Sequence, residues 1–540
     1  MKFRILCIAF LLAMASCGST AGKYPGKGNE QTEDLTYAPS NVVKVLDRQQ
    51  KAAFDFFFGG ADPQTGMIYE GTERGHCITT GGTGFGIMAL CVGVERGWIT
   101  REQGLERIGR IVSFLTDCER YHGAWSHWYN PDGSYMAFGK QKATGDLVET
   151  SFVMQGLLAA SEYFDKDNES ETLLRKRIEN LYGSVEWSFY TGGANKGLYW
   201  LWYSETNSYE LIISGWNEAL TTYLMALGAP DGNASTPETY LKGWGEPVFK
   251  GRTTEGYELP LGREAWGGPL FFTHYSFLGY NPKLMMDGNC WYFQQNQAHV
   301  MLNRDHCLYK APEGNGYTQG LWGLTACYGA GSTPEYSARN PQNDDGVIAP
   351  TAALSSMPYT PFYSIQVLME LDKIGGLQSE YGFGDSYKPA EKAPEKRILA
   401  IDQGPIVVMI ENYRSGLIWN LLMKNKHAQK GLERAGIHAP ELPEGFVGAI
   451  ADSKTGCVDL IQHPDRKVYE IDYSLDKAGS VEFSIRKADS DETVKEFKAN
   501  AQAGISTLAF DHENITRGET YLLTMTSPAG KTHEIKVIFH

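Results

Sequence analysis

The chain lacks the patterns that mark several common kinds of active site. None of its nine cysteines forms a CxxC pair or a Cys/His cluster at zinc spacing, which argues against a zinc site. The Walker pattern and the GxSxG nucleophile elbow are also absent, so P-loop and α/β-hydrolase chemistry are excluded. We therefore expect neither a metal nor another cofactor.

Acidic residues outnumber basic residues in this chain. The 540 residues include 49 Lys and Arg against 64 Asp and Glu, a formal net charge of −15. That balance disfavours binding to nucleic acid or to an anionic lipid surface, and a neutral substrate fits it better. We expect no nucleic-acid partner and a monomeric protein.

The N-terminus resembles a bacterial lipoprotein signal. Lys2 and Arg4 precede an apolar run over residues 5–14, and Ala15-Ser16-Cys17 closes it. This pattern predicts a signal peptide over 1–17, lipidation of Cys17 and a polar tether over 18–40. The protein would then lie in the bacterial cell envelope, on the periplasmic side or the surface of the outer membrane, and contact the membrane only through its lipid anchor.

Most of the chain has helical periodicity. Apolar residues recur at three- and four-residue intervals between about 41 and 440. We predict helices over residues 42–58, 84–96, 101–118, 147–163, 171–189, 218–227, 318–327, 361–371 and 405–422. Long loops rich in glycine and aromatic residues separate them. A mainly α fold of this kind fits an α/α toroid, in which two concentric rings of helices carry a cleft at one end.

The periodicity of the apolar residues changes towards the C-terminus. Short runs that alternate apolar and polar residues predict strands over 468–473, 480–486, 493–497, 505–510, 520–526 and 533–539. We predict a linker over 441–465 and a small β-sandwich (Ig-like) domain over 466–540. It contains no tryptophan, which gives little support to a carbohydrate-binding face.

The segment around Glu218 carries the clearest candidate for chemistry. Ser214 is a suitable N-cap, and Leu220, Leu224 and Leu227 follow at helical spacing. Glu218 would lie in or just after the first turn, beside Trp216. A carboxyl in this position either complements the helix dipole or serves a carbohydrate-hydrolysing site.

Asp146 and Glu149 form a second acidic candidate. Three residues apart, they are placed to share a face, but Asp at an N-cap with Glu three later is also a variant of the capping box. Both readings stay open. The glycine-rich run Gly81-Gly82-Thr83-Gly84-Phe85-Gly86 lacks GxGxxG spacing, and we interpret it as a loop that leads into a helix.

Further candidates lie in aromatic or acidic loops. Asp385 and Asp402 each stand in a short loop, and Pro405 predicts a helix start just after Asp402. His274 and Tyr275 could bind sugar hydroxyls, although a histidine in an apolar run is more often a core residue. The predicted substrate-binding residues are Trp125, His127, Trp128, Trp216, His274, Tyr275, Asp385 and Gln403.

Six longer motifs resemble the glucoamylase-like family of bacterial glycoside hydrolases, which includes the bacterial endo-β-1,2-glucanases. They are residues 146–158 (DLVETSFVMQGLL), 216–230 (WNEALTTYLMALGAP), 268–275 (GPLFFTHY), 345–361 (DGVIAPTAALSSMPYTP), 381–385 (YGFGD) and 401–419 (IDQGPIVVMIENYRSGLIW). The resemblance covers about residues 41–436.

The resemblance implies an (α/α)6 barrel, no metal, and inverting hydrolysis of β-1,2-glucan or sophoro-oligosaccharides. It implies that Glu218 is the general acid, with Asp146 and Glu149 as a supporting catalytic pair. Asp402 is our choice of catalytic base, and Asp385 is the alternative.

Two other function classes stay open at this stage. A helical, aromatic-rich lipoprotein could capture glycans without cleaving them. A polysaccharide lyase could use a toroid-plus-sandwich architecture, but it needs cationic groups that neutralise a uronate, and the acidic motifs argue against it. The glucan linkage and endo versus exo action are not determined by the sequence.

Overall fold

The computed structural model describes residues 39–440 and 450–538, with gaps at 74–75, 137–143, 195, 249–258, 263–265, 453–456, 460, 464–467, 476–477, 491, 502–503, 512, 517–518 and 531. The predicted signal peptide with Cys17, and all but the last two residues of the predicted tether, lie outside these ranges. Among the described helices none is long and apolar enough to cross a lipid bilayer.

Residues 39–440 are mainly helical. The α-helices are α1 (Pro39–Phe58), α2 (Thr80–Glu95), α3 (Arg101–Asp117), α4 (Leu147–Tyr163), α5 (Glu169–Gly183), α6 (Leu220–Gly228), α7 (Pro237–Tyr240), α8 (Tyr292–Asp305), α9 (Pro350–Leu354), α10 (Pro361–Leu371), α11 (Ala400–Ser415), α12 (Leu417–Lys424) and α13 (Lys426–Ala435). Short 3-10 or π turns cover Trp187–Thr191, Leu241–Gly245, Leu270–Thr273, Ser276–Leu278, Pro282–Leu284, His306–Lys310, Glu313–Asn315 and Pro389–Glu391.

Thirteen short strands accompany these helices. They are β1 (Ile78–Thr79), β2 (Arg120–Tyr121), β3 (Ala124–Trp125), β4 (Trp128–Tyr129), β5 (Thr144–Asp146), β6 (Tyr199–Tyr203), β7 (Ser208–Ile212), β8 (Ala326–Cys327), β9 (Ser337–Ala338), β10 (Gln378–Ser379), β11 (Gly382–Phe383), β12 (Ser386–Lys388) and β13 (Ala393–Glu395). The antiparallel sheet β5-β6-β7 aligns Asp146 with Leu201 and Leu201 with Glu210. This sheet leads the chain from Asp146 to the segment before α6.

The helices fall into two classes by burial. In α2 and α4 every residue from the start to near the end is buried, whereas α3 and α5 bury only a stripe on one side. A helix that is apolar all round belongs in the interior, and one with a single apolar stripe belongs at the surface. The mainly helical prediction is confirmed, and this division is what an inner and an outer ring of helices would require.

Glycine allows α2 and α4 to approach closely. A Cβ added at Gly84 would lie 2.2 Å from the carbonyl oxygen of Phe152, and one at Gly156 would lie 2.2 Å from the carbonyl oxygen of Gly84. The two helix backbones therefore touch at this crossing. The glycine-rich run is not the leading loop that we expected, because Gly81 to Gly86 lie inside α2.

One predicted helix is wrong. Residues 318–327 form turns and bridges that end in β8, and no α-helix covers them. Gly323 has a φ of +124°, which a helix does not accommodate, and Gly320 packs against the side chain of Glu370. The apolar residues of this segment pack into the core, but their backbone is not helical.

The C-terminal region is built from strands. They are β14 (Ile450–Asp452), β15 (Cys457–Asp459), β16 (Ile461–His463), β17 (Val468–Leu475), β18 (Gly479–Lys487), β19 (Thr493–Ala501), β20 (Gly504–Asp511), β21 (Thr520–Thr526) and β22 (Thr532–Ile538). A six-stranded sheet has the order β14-β15-β22-β21-β18-β19, and a three-stranded sheet the order β16-β17-β20. Because β14, β15 and β16 fall within 441–465, the predicted linker is too long and the strand region begins by Ile450.

Candidate functional site

Asp146 and Glu149 both contact His127. Asp146 is the N-cap of α4, and its Oδ1 accepts hydrogen bonds from the backbone N–H groups of Val148 and Glu149 at 3.1 and 3.0 Å. Its other oxygen, Oδ2, lies 3.1 Å from His127 Nδ1, and Glu149 Oε1 lies 3.6 Å from His127 Nε2. The capping role is therefore present, and the same carboxyl also belongs to a charged cluster.

Glu149 is held at the N-terminus of a second helix. Its Oε2 accepts a hydrogen bond from the backbone N–H of Gly81 at 2.6 Å, and a Cβ at Gly81 would lie 2.5 Å from that oxygen. Glycine is required for this approach. Burial raises the pKa of Glu149 to about 7, against the opposing charge of His127.

His127 is stacked on Trp128, with ring centroids 3.7 Å apart. The indole N–H of Trp128 donates to Glu70 Oε2 at 3.2 Å. Burial disfavours the imidazolium, but the charges of Glu149 and Asp146 prevail and raise the pKa of His127 to about 9. These charges favour the imidazolium form of His127.

Glu218 lies in a turn immediately before α6, not inside the helix. The predicted cap at Ser214 is wrong: α6 starts at Leu220, because Gly215 has a φ of +68° and interrupts helical backbone. Asn217 Oδ1 instead accepts from the backbone N–H of Ala219 at 2.9 Å. Ser276 fixes the turn by donating its hydroxyl to the carbonyl oxygen of Glu218 at 2.5 Å.

The Glu218 side chain is half-buried and keeps contact with solvent. Burial raises its pKa to about 7, and the charge of Asp146 acts in the same direction. A carboxylic acid that is still protonated near neutral pH and reaches solvent is suited to donate a proton to a bound molecule.

Asp385 and Asp402 form a carboxyl pair in the interior. Asp402 lies in the first turn of α11, which starts at Ala400 and therefore before the position that Pro405 predicted. Asp385 stands between β11 and β12, and its Oδ2 accepts from the backbone N–H of Tyr328 at 2.6 Å. Burial raises the pKa of Asp385 to about 6, and burial, the charge of Asp385 and a hydrogen bond to it raise the pKa of Asp402 well above its usual range.

Tyr275 connects the acidic groups. Its ring is buried and stacks on Phe271 with centroids 5.1 Å apart. Burial raises the pKa of Tyr275 well above its ordinary value, and the charges of Asp402 and Glu218 add to that rise. The charges of Asp402, Glu218 and Glu149 thus all act on the Tyr275 hydroxyl. We call Asp146, Glu149, Glu218, Asp385 and Asp402 the acidic cluster.

All the predicted substrate-binding residues except His127 are buried, and four of them have side chains that contact core groups of the protein. Trp125 is fully buried and donates from Nε1 to the carbonyl oxygen of Leu115. Gln403 donates to the carbonyl oxygen of Phe383 at 3.0 Å. We assign both residues to the core rather than to substrate binding.

The other two of these four core residues are Trp216 and His274. Trp216 donates to His299 Nδ1 at 3.2 Å, and His274 Nε2 lies 2.9 Å from Ser356 Oγ. Burial lowers the pKa of His274 to about 3, so its ring is neutral. Both side chains contact protein groups in the interior, and we assign them to the core as well. Trp216 therefore supports the segment that carries Glu218 instead of presenting a face to a sugar.

Two residues near the acidic cluster carried no signal in the sequence. Glu70 accepts from Trp128, and its charge contributes to the raised pKa of His127 and of Glu149. Tyr336 is 48% exposed, and its pKa is raised well above its usual value by protein around the ring and by the charges of Asp402 and Asp385. Its ring stands edge-on to that of Tyr328, with centroids 5.9 Å apart.

The described residues contain no group of three His, Cys, Asp or Glu side chains arranged to hold a metal ion. The arrangement instead offers a protonated carboxylic acid, a carboxyl pair with one shared proton, and a cation. These groups can carry out general acid/base chemistry.

The chain is similar to proteins of known activity. Residues 210–426 match the family model named Glycoamylase. Over 436 residues the chain is 38% identical to the exo β-1,2-glucooligosaccharide sophorohydrolase (non-reducing end) of Parabacteroides distasonis, a match that covers 75% of this chain and 60% of that protein. The chain thus spans about three fifths of the length of this curated relative.

Two solved structures of β-1,2-glucanases are also similar to this chain. The endo-β-1,2-glucanase from Chitinophaga pinensis, in complex with sophorotriose and glucose, is 41% identical with a TM-score of 0.70, covering 74% of this chain and 99% of that one. The β-1,2-glucanase from Parabacteroides distasonis is 36% identical with a TM-score of 0.69, covering 73% of this chain and 60% of that one. At these levels of identity and coverage, similarity extends through the helical part of the chain.

Proposed function

Because the chain belongs to the glucoamylase-like family of bacterial glycoside hydrolases, we propose that it hydrolyses β-1,2-glucan or its sophoro-oligosaccharides. The relatives named for action on β-1,2-glucans support the choice of the β-1,2 linkage as the bond that is cleaved. The single observation that carries the catalytic assignment is the half-buried Glu218, whose pKa of about 7 keeps its carboxyl protonated near neutral pH.

The mechanism we propose is inverting general acid/base catalysis. Glu218 protonates the glycosidic oxygen of the leaving sugar. A water molecule on the opposite face of the ring attacks the anomeric carbon as a carboxylate removes its proton. In such enzymes the two carboxyls stand about 6.5–9.5 Å apart, which leaves room for the water.

The base belongs to the pair of Asp402 and Asp385. Two adjacent buried carboxyls cannot both ionise readily, so the pair holds one proton and one negative charge at neutral pH. We keep Asp402 as the base and assign Asp385 as the partner that shares its proton. Asp146 supports Glu218 through its charge, and Glu149 supports it indirectly through the contact that both carboxyls make with His127.

The finer architecture and the location are part of the same proposal. The helices in two burial classes support an (α/α)6 barrel over about residues 41–440. Phe510 of the three-stranded sheet shares a buried apolar cluster with Phe483 and Leu523 of the six-stranded sheet, which supports a β-sandwich. We also propose that the protein is a monomer and a lipoprotein of the cell envelope, on the basis of residues 1–17.

A substrate screen tests the function. Purified protein is incubated with β-1,2-, β-1,3-, β-1,6- and α-1,4-glucans, and the products and their anomeric configuration are followed. We expect new reducing ends of inverted configuration from β-1,2-glucan only. Release of sophorose alone indicates exo action, and a ladder of oligosaccharides indicates endo action.

The same screen decides between the remaining classes. Activity confined to α-1,4-glucan would overturn the substrate assignment. Binding of oligosaccharides without any cleavage would favour a glycan-capturing lipoprotein, and unsaturated products that absorb ultraviolet light would favour a lyase. Glu218→Gln serves as the negative control, because it keeps the side-chain shape and removes the acidic proton.

A further inference from the structure

His127 lies between two carboxylates. Its Nδ1 is 3.1 Å from Asp146 Oδ2, and its Nε2 is 3.6 Å from Glu149 Oε1. A neutral imidazole can donate from Nδ1 to Asp146, whereas the imidazolium makes the same hydrogen bond with a full positive charge and also forms an ion pair with Glu149 through Nε2. The doubly protonated ring has a donor at each nitrogen. The geometry therefore matches an imidazolium.

The ring is fixed in this orientation by its surroundings. The carbonyl oxygen of His127 accepts from the backbone N–H of Thr80 at 3.0 Å, and the neighbouring Ser126 donates its hydroxyl to the carbonyl oxygen of Thr144 at 2.8 Å. Trp128 covers one face of the imidazole. These contacts tie His127 to the starts of α2 and α4, the two helices that meet at Gly84 and Gly156.

Among the described residues, the charges that act most strongly on His127 are negative. Asp146 and Glu149 come from the start of α4, and Glu70 comes from the segment that precedes β1 and contacts Trp128. One cation thus stands among three carboxyls, and Asp146 in turn acts on Glu218. Without that cation, Asp146 and Glu149 would repel each other and Glu218.

We propose that His127 is a positioning residue that stays an imidazolium during catalysis, holds Asp146 and Glu149 in place, and thereby sets the protonation of Glu218. This role replaces the sugar-binding role that the sequence predicted for His127, because its Nδ1 is within hydrogen-bonding distance of Asp146 and its Nε2 faces Glu149. The part that concerns Glu218 rests on the proposed function. The part that concerns the charge of His127 does not.

The charge of His127 is tested first, without substrate. The full-length protein is labelled with ¹⁵N-histidine, and the His127 signals are identified by their loss in His127→Gln. We expect the protonated pattern to persist from about pH 5.5 to about pH 8, and the midpoint to fall in Glu149→Gln. A wild-type midpoint at the ordinary histidine value of about 6.5 would overturn the proposal.

The positioning role is tested by kinetics on β-1,2-glucan. In His127→Gln we expect kcat to fall about tenfold to a hundredfold with a nearly unchanged KM. The alkaline limb of the pH profile, which Glu218 sets, should move upward, because Asp146 loses the cation that offsets its charge. His127→Lys should restore the position of this limb, since it returns the charge.

A matched control is available five residues upstream. His122 also faces a carboxylate, with Nδ1 3.1 Å from Glu186 Oε2, but it lies outside the acidic cluster. His122→Asn should leave the pH profile and kcat unchanged. A His127→Gln variant with raised KM and an unmoved alkaline limb would show a substrate contact and overturn the proposal. If wild-type protein cleaves no β-1,2-glucan, the proposed function fails while the titration still decides the charge of His127.

Discussion

The carboxyls of Asp385 and Asp402 lie within hydrogen-bonding reach of each other in the interior of the protein. Asp385 Oδ1 and Asp402 Oδ2 have no donor from any other group in the described part of the chain. A proton held between the two carboxyls satisfies both oxygens at once. The pair therefore shares one proton between its two carboxyls at neutral pH and keeps one negative charge.

Asp402→Asn is expected to stabilise the fold at neutral pH and to abolish most activity. Because the folded-state pKa values of both acids are raised, the contribution of this pair to stability is greatest below about pH 4 and is lost as the pH rises through the folded values. The amide donates to Asp385 without a proton from solvent. We expect a gain on the order of 1 kcal/mol or more at pH 7.5 in urea unfolding, and little gain at pH 4.

Asp231→Asn is the control for this experiment, because Asp231 is exposed and pairs with Lys430 at the surface. It should change the free energy of unfolding little at either pH. An Asp402→Asn protein that is less stable than wild type at both pH values would contradict the shared proton.

The pH profile of the wild type should be a narrow bell. The carboxyl pair must lose its first proton, which sets an acidic limb near the value of about 6 for Asp385. Glu218 must keep its proton, which sets an alkaline limb near pH 7. Asp146→Asn removes the charge that raises the pKa of Glu218, and it keeps an N-cap side chain. We expect its alkaline limb to move to lower pH in kcat/KM measurements, and an unmoved limb would separate Asp146 from Glu218.

Glu218→Gln should reduce kcat by at least about a hundredfold with an unchanged melting temperature. The amide has no acidic proton, but it fills the same turn before α6. Glu238→Gln is the matched control: Glu238 is exposed in the first turn of α7, where a carboxylate can only complement the helix dipole. If both variants retain full activity, Glu218 is not the general acid.

The sequence predicted local structure best where one interaction decides it. The bounds of α4 and α10 agree to the residue, because Asp146 caps the first and Pro361 starts the second. Prediction failed where the φ angle of a single glycine decided whether a segment was helical. Gly215 and Gly323 adopt positive φ values, and their effect on the segments before α6 and before β8 is invisible in apolar spacing.

The site could be predicted only in part for a similar reason. Glu218, Asp146 and Glu149 lie in motifs, so a resemblance identifies them. The contact between Asp385 and Asp402 depends on how β11, β12 and α11 pack, which no spacing along the chain records. A buried indole such as Trp216 and an exposed ring such as that of Tyr336 also differ only in tertiary surroundings, so the sequence selected the former and missed the latter.

Tyr336 is expected to contact substrate. Its exposed ring stands edge-on to Tyr328, with centroids 5.9 Å apart, and the charges of Asp402 and Asp385 act on its hydroxyl. Tyr336→Ala should raise KM up to about tenfold, because stacking of an aromatic ring contributes about 0.5–1.5 kcal/mol, and Tyr336→Phe should keep most of the affinity. Tyr309→Ala, at a ring that is 58% exposed in the turn His306–Lys310, should leave KM unchanged. Equal KM values for Tyr336→Ala and the wild type would remove Tyr336 from the site.

The crossing of α2 and α4 at Gly84 and Gly156 predicts a sharp contrast between two helical glycines. Gly156→Ala would force a methyl group to within 2.2 Å of the carbonyl oxygen of Gly84, so the helices must separate. We expect a loss of about 1–3 kcal/mol in the free energy of unfolding. A Cβ added at Gly109, in α3, would lie in open space. The free energy of unfolding of Gly109→Ala should therefore rise by about 0.5–1 kcal/mol, because alanine has the higher helix propensity.

The same pair of variants tests whether the crossing matters for the site. Glu149 at the start of α4 receives its hydrogen bond from Gly81 at the start of α2, so separation of the helices stretches this contact. Activity of Gly156→Ala should therefore fall even at temperatures where circular dichroism shows it fully folded, whereas Gly109→Ala should match the wild type. If folded Gly156→Ala keeps full kcat, the acidic cluster tolerates movement between the two helices, and its geometry depends on the loops around His127 and Glu218 alone.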